Sequence, residues 1–270
     1  MTVAPGITDD DLNLLAQTLR KTMTTASGRE LGEALIGLGW LDMLDETPQQ
    51  AIPLVFRLLG ETGAHAAVLN DVVLREAGLA PGGTVPLPFA GGSWVIWERG
   101  PAATQALDTE LPIHGTTPGD RVPLNVGRVA LGWWLAGTGR AMLSLACRHA
   151  RDRVQFGRPV ASFQAVRHRL AETLVAIEGA EATLGDADTG LGSLLAKAAA
   201  GQAALTAARH CQQVLGGLGF TAEHDLHRHV RRTLVLDGLL GSSRELTRQA
   251  GAEVRRKACA DGSAPRLAAL

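Results

Sequence analysis

Ala150-Arg-Asp-Arg153-Val-Gln155-Phe156-Gly157-Arg158-Pro159-Val160, followed at once by Ser162-Phe163-Gln164, is the densest run of potential chemistry in the chain. A helix is expected to end near Arg153, Gly157 and Pro159 to turn the chain, and Ser162 to cap the next helix. The plain reading is a helix hairpin whose basic residues suit a helix C-terminus. The functional reading is that Arg153 and Gln155 face a phosphate or other polar group across an interface, since an arginine can contact such a group through two parallel hydrogen bonds.

Outward from this turn, Gly and Pro thin out and long periodic segments take over: Val129 to Ala150, Phe163 to Leu184, Leu191 to Leu215, and Thr221 or Ser242 to Arg256. In the second of these, Val166, Leu170, Leu174 and Ile177 fall on one helical stripe expected to pack inward, with Arg167, Arg169, Glu172 and Glu178 on other faces. Toward the N-terminus, Thr8 to Ala77 carries helix-period apolar residues such as Leu12, Leu15 and Leu19. Between them, Gly78 to Pro123 is rich in Gly and Pro, and its short runs Val85 to Phe89 and Trp94 to Trp97 predict a few strands. The spacing therefore predicts a mainly α protein with a helical segment over 1–77, a reduced β-rich segment over 78–123, and a helical bundle over 124–270. The tail Ala260 to Leu270 reads as a frayed terminus.

The composition is globular: 270 residues, 46% hydrophobic, 20% charged, net charge −1. A chain of this length buries a core without disulfide staples. Near-neutral charge removes the electrostatic footprint that nucleic-acid binding needs. The apolar stretches Val129 to Trp134 and Leu194 to Ala200 are far shorter than a membrane span, so a soluble, cytoplasmic protein without nucleic-acid or membrane partners is expected. Cys147, Cys211 and Cys259 are widely spaced and read as reduced thiols.

Two further clusters carry potential chemistry. Gln212-Gln213-Val214-Leu-Gly216-Gly217-Leu-Gly219-Phe220 reads either as a helix stop or as a backbone that a ligand can approach closely; it follows no strand and is no dinucleotide fingerprint. Gly241-Ser242-Ser243-Arg244-Glu245 fits a capping box, and its functional version is an anion or ring contact at a helix N-terminus. His224, His227 and His229 match no common zinc spacing and, with Arg228, Arg231 and Arg232, predict a solvated basic face. Trp133-Trp134 reads as packing. No nucleophile elbow is present, so nucleophilic hydrolysis has no support.

Taken in order, Arg153-Val-Gln155-Phe156-Gly157-Arg-Pro159, Phe163-Gln164-Ala-Val166 with Leu170-Ala171-Glu172, and Gln213-Val214-Leu-Gly216-Gly217-Leu-Gly219-Phe220 resemble the C-terminal half of the acyl-CoA dehydrogenase family. The match covers roughly Val126 to Glu253. The helical block through Leu38-Gly39-Trp40 and Phe56 to Leu74 looks like a trimmed version of the family's N-terminal helical part. The resemblance implies an acyl-CoA dehydrogenase-like fold with a truncated N-terminal part, a vestigial β middle and a C-terminal four-helix bundle. It also implies FAD and α,β-dehydrogenation of an acyl-CoA thioester. In that reaction a carboxylate takes the α-proton while the β-hydrogen leaves as hydride to the flavin.

The family places its glutamate at one of two positions, and here they hold Leu240 and Gly127. Neither can accept a proton. Arg128 matches the arginine beside the second position and is carried over as a substrate-side residue; Asp237 is the fallback carboxylate. The flavin loop of the family's β-domain is not visible in Gly78 to Pro123. By contrast Arg153, Gln155, Phe156, Phe163, Gln164, Gln213, Val214, Gly216 and Gly217, with Gly241 and Ser242, match cofactor-binding positions; of these, Arg153, Gln155, Phe163, Gln164 and Gln213 to Gly217 match positions that reach across a dimer interface in the family. The resemblance implies a non-catalytic, FAD-completing subunit of a heteromeric α2β2 enzyme like those of actinobacterial steroid side-chain degradation. A full-length acyl-CoA dehydrogenase partner would supply base and acyl-CoA pocket. The alternatives are a homomeric enzyme using Asp237 or another carboxylate, and a flavin-free structural subunit.

Overall fold

The computed structural model describes residues 9–100, 108 and 110–261. Five helices come first: α1 (Asp9–Thr25), α2 (Gly28–Gly37), α3 (Trp40–Glu46), α4 (Pro48–Thr62) and α5 (Val68–Glu76). Pro48 opens α4, where its missing N–H costs nothing. Past α5, Gly78 turns left-handed at φ +71°, so that Leu79 N–H reaches Leu74 O at 2.8 Å and Gly78 N–H reaches Arg75 O at 3.0 Å. This double bond satisfies two orphan carbonyls of the helix end.

Among the described residues three short strands follow, β1 (Leu87–Phe89), β2 (Ser93–Trp97) and β3 (Ile113–Gly115), antiparallel in the order β1-β2-β3. Leu87 pairs with Val95 and Trp97 with Ile113, and all four side chains are buried. Alternate residues thus line the core face. The first strand begins two residues later than the expected Val85.

The C-terminal segment holds α6 (Asn125–Asp152), a hairpin of β4 (Val154–Gln155) and β5 (Arg158–Pro159), α7 (Gln164–Gly185), α8 (Gly190–Leu215), α9 (Leu226–Gly238) and α10 (Ser243–Asp261). Helices α6, α7 and α8 pack on one another, α9 sits across α6 and α8, and α10 lies along α8. Thus two helices, α9 and α10, occupy the stretch expected from Thr221 or Ser242 onward. Ala260 and Asp261 still belong to α10; residues 262–270 lie outside the described ones.

One apolar core joins all three segments, running from Leu19 and Trp40 through Leu87 and Trp97 to Trp134 and Leu240. Trp134 stacks on Trp97 at 5.5 Å and meets the Phe56 ring edge-on at 5.7 Å, which is the packing role read for this tryptophan.

Three sequence expectations need correction. Phe163, not Ser162, occupies the N-cap of α7, and no side chain bonds there; Ser162 lies in a one-turn 3-10 helix that follows β5. The inward line of α7 is Thr173, Ile177, Ala180 and Leu184, with Leu170 packed partly on the core; of the expected stripe it is Leu174 that faces outward, with Val175 beside it. The His224–Arg232 stretch is not a solvated face throughout, because His229 and Arg232 are buried. Arg232 is held by Asp108 at 2.6 Å and Glu110 at 2.9 Å, carboxylates that no local pattern connects to it. Among the described residues, no helix is long and apolar enough to cross a membrane.

Candidate functional site

Helix α6 ends at Asp152, and the chain turns through the β4–β5 hairpin with Phe156 at φ +53° and Gly157 at φ +78°. The glycine takes its angle freely; the phenylalanine takes it at a cost. The result holds Phe156 out, 90% exposed, with its ring edge-on to Phe163 at 6.0 Å. The Arg158 guanidinium lies over the same Phe163 ring, 4.3 Å from its centroid.

Between this hairpin, the start of α7 and the end of α8 lies an open cavity of about 780 Å³, lined in part by Gln155, Phe156, Phe163, Gln213 and Val214. The structure therefore brings together five residues that the sequence places in two separate clusters. Arg153, the exposed residue closing α6, and Gln164, which opens α7, flank this cavity in the chain without lining it. At the end of α8 Gly216 adopts φ +62°, and added methyl groups at Gly216 or Gly217 would meet nothing within 4 Å. That backbone is open to a ligand. Gly219, by contrast, packs against the Gln212 backbone, so it shapes the turn.

Sequence reasoning missed Arg169, Arg209 and His210, which also line the cavity. The signal was present, since Arg209 and His210 precede Gln213 by four and three residues and share its side of the helix. Buried Thr173 donates to the Arg169 carbonyl at 2.8 Å, His210 Nδ1 lies 2.9 Å from the Thr173 hydroxyl, and Arg169 Nη1 lies 3.2 Å from His210 Nε2. Burial and then the nearby Arg169 charge hold His210 below the usual imidazole range. The cavity wall carries two guanidinium groups and no carboxylate, a donor set suited to an anion.

The remaining expected site residues gather elsewhere. Lys197, buried near the start of α8, donates to Asp237 O at 2.9 Å and to Gly241 O at 2.6 Å. It lies 16 residues before Gln213, about 24 Å along the helix. At this end Gly127 and Leu240, the two positions where the sequence resemblance puts the glutamate, pack on each other: a methyl group at Gly127 would stand 3.0 Å from Leu240 Cδ1 and 3.0 Å from Val73 Cγ2. Leu240 is buried, at φ +56°, with its N–H on Pro88 O at 2.8 Å and its carbonyl accepting from Arg128 Nε at 3.3 Å. Burial lowers the pKa of Arg128, with Glu76 opposing. Asp237 turns its carboxylate to Ser243 N–H at 3.1 Å, capping α10. Ser242 and Glu245 form the expected capping box, with Ser242 N–H to Glu245 Oε2 at 2.9 Å and Glu245 N–H to Ser242 Oγ at 3.4 Å. The other oxygen of Glu245 accepts from Gly91 N–H at 2.9 Å, and these bonds pull its pKa down to about 2.

A helical layer, a small antiparallel sheet and an antiparallel helical bundle ending in a glycine turn beside a basic hairpin define the acyl-CoA dehydrogenase-like class of folds. A chain of the Tcur3481-Tcur3483 steroid ACAD G363A variant superposes with TM-score 0.74 at 19% identity, covering 93% of this chain and 99% of that one. A chain of the ChsE4-ChsE5 complex from Mycobacterium tuberculosis gives 0.71 at 20%, covering 94% and 98%. Residues 120–254 match the family model "Acyl-CoA dehydrogenase, C-terminal domain", and the chain belongs to the acyl-CoA dehydrogenase family. Acyl-CoA dehydrogenase FadE34 of Mycobacterium tuberculosis is 34% identical over 235 residues, 74% of this chain and 33% of that protein. Acyl-CoA dehydrogenase IpdE2 of the same organism is 40% identical over 121 residues, 44% of this chain and 38% of that protein. The chain thus spans a third or slightly more of the length of these relatives.

The family typically uses FAD. The cavity fits the anionic, nucleotide half of that molecule: two guanidinium groups, amide side chains for polar edges and an exposed aromatic ring, with the unobstructed Gly216–Gly217 backbone following its Gln213–Val214 wall in the chain. At the other end, the side chains of Leu240, Val73 and Leu69 pack around Gly127.

Proposed function

We propose that this chain is a non-catalytic, FAD-completing subunit of a heteromeric acyl-CoA dehydrogenase. FAD, when bound, supplies the two-electron acceptor for α,β-dehydrogenation. This chain's contribution is to hold the nucleotide half, with Gln155, Phe163, Arg169, Arg209 and Gln213 around its phosphates and adenosine and Arg153 at the rim. A full-length acyl-CoA dehydrogenase partner, in an α2β2 assembly, supplies the base, the flavin-ring loops and the acyl-CoA pocket.

The single observation that carries this reading is the opposite fate of the two ends of α8. One end keeps an open cationic cavity; at the other, Leu240 and Gly127 fill each other's space where the family's glutamate would stand. The outward apolar side chains support a partner at the cavity end, with Phe156 90% and Phe220 67% exposed. A steroid side-chain acyl group is the proposed substrate class, in line with the steroid ACAD that shares the fold.

The test is flavin content. The chain purified alone is expected to be colourless or substoichiometric in FAD, whereas co-expression with a full-length partner gives a yellow complex. Arg153→Ala with Gln213→Ala in this chain should lower the flavin content of that complex severalfold, and Asp237→Asn should leave its turnover intact. A yellow homo-oligomer of this chain with one FAD each, reducible by an acyl-CoA, would overturn the proposal.

A further inference from the structure

The hydrogen-bond chain at the back of the cavity has a direction that its chemistry fixes. Thr173 is buried within α7 and gives its only hydroxyl proton to the Arg169 carbonyl. With that proton on the carbonyl, its oxygen accepts from His210 Nδ1, 2.9 Å away. A neutral ring protonated at Nδ1 has a bare Nε2, and that nitrogen accepts from Arg169 Nη1 at 3.2 Å. Arg169 is thereby docked on a neutral histidine. A second proton at Nε2 would set N–H against N–H and cation against cation at that distance, and the contact cannot survive it. The charged groups facing the ring are Arg169 and Glu172 on α7 and Arg209 on α8.

We propose that His210 is a positioning residue: neutral, it holds Arg169 against α8, and protonated, it releases Arg169 toward a pyrophosphate in the cavity. The inference rests on the half-site reading above and adds its regulation. On protonation the wall gains one charge and frees a second donor, so Arg169, Arg209 and the imidazolium converge on the same anion. Hold on a nucleotide pyrophosphate then strengthens as pH falls below the ordinary imidazole range. Burial first, then the Arg169 charge and more weakly that of Arg209, place this change on the acid side of 6.5, while the Glu172 carboxylate and a hydrogen bond with the Arg169 backbone pull in the other direction.

The probe is ADP-ribose, which carries adenosine and a pyrophosphate diester with no ionisation of its own in the working range. Titrating the full chain by calorimetry at about pH 5.5 and about pH 8, with circular dichroism confirming the fold at both, should show binding about tenfold tighter at the lower pH. Tenfold corresponds to about 1.4 kcal/mol, the scale of one charge-assisted hydrogen bond. Nitrogen NMR should find the His210 proton on Nδ1 at high pH, and bound ADP-ribose should raise the pKa of that ring, as reciprocal linkage requires. His210→Gln, whose amide can still serve both Thr173 and Arg169, should bind with affinities equal within twofold at the two pH values. Arg169→Gln should lose most of the low-pH gain. Binding by the wild type that ignores pH, or a proton on Nε2, overturns the His210 proposal and leaves the half-site standing. No binding at either pH also overturns it, and the flavin content of the co-expressed complex then reports separately on the half-site.

Discussion

Leu240 and Gly127 show how one residue's size decides what a position can do. The leucine sits at φ +56°, a conformation that costs an L-residue about 1–2 kcal/mol, and it stays there because its N–H, its carbonyl and its side chain are all engaged. Gly127→Ala pushes a methyl group to 3.0 Å from both Leu240 and Val73, so it should cost about 1–3 kcal/mol of stability by overpacking. In the Leu240→Ala background the new methyl enters vacated space, and its penalty should shrink by at least about 0.5 kcal/mol. Urea midpoints of the four chains in this cycle measure that coupling. Strict additivity would show that the two positions do not share one volume.

Helices α4 and α6 cross with bare backbone between them: a methyl group at Gly60 would overlap the Trp134 carbonyl, and one at Gly137 the Arg57 carbonyl. Backbone cannot step aside as a side chain can, so Gly137→Ala should cost at least about 3 kcal/mol, the top of the overpacking range. Gly251→Ala on α10, where nothing lies within 4 Å, should instead gain a few tenths to about 1 kcal/mol from helix propensity. Thermal unfolding of the two variants gives the contrast. Element identity is legible in the sequence because periodicity is local: the helical character of the N-terminal block, the Trp94 to Trp97 strand, and α6, α7 and α8 follow from it, as does the Ser242–Glu245 box, whereas the division of that block into five helices and the cap of α7 do not. Orientation is less so. On the α7 stripe Ile177 is buried and Leu170 packs on the core as expected, but Leu174 faces outward and Thr173 serves as the inward residue by bonding its own backbone. For the site, the motif residues Gln155, Phe156, Phe163, Gln213 and Val214 were legible, while Arg169 and His210 depend on how α7 lies on α8, which no local pattern encodes.

Arg232 on α9 ties the whole molecule together, donating to Gly63 O and Ala64 O after α4 and to Asp108 and Glu110 between β2 and β3. Removing it by Arg232→Met leaves buried Asp108 without its partner and should cost about 3–5 kcal/mol; a loss under about 1 kcal/mol in a urea titration would contradict the clamp. The same cluster sets the acid limit of the fold. His65 and His229 flank it, and burial first, then the charges of Arg232 and Arg228, lower each to about 4. An unfolded imidazole takes a proton below about 6.5, so between about 6.5 and 4 the unfolded chain binds more protons and stability is lost as pH falls. Each histidine contributes on the order of 3 kcal/mol to that loss at 1.4 kcal/mol per unit. Lys197, lowered to about 7 chiefly by burial, acts with the same sign over a higher window, since the unfolded amine stays protonated to about 10.4. The three groups together predict a urea midpoint that climbs from about pH 4 to about pH 6.5 and climbs again on the alkaline side of neutrality. His229→Gln, which cannot take up a proton, should flatten the acid limb by about half while leaving the alkaline limb in place. A midpoint constant between about pH 4 and 6.5 would mean that both imidazoles titrate normally and that the cluster around Arg232 is open to water.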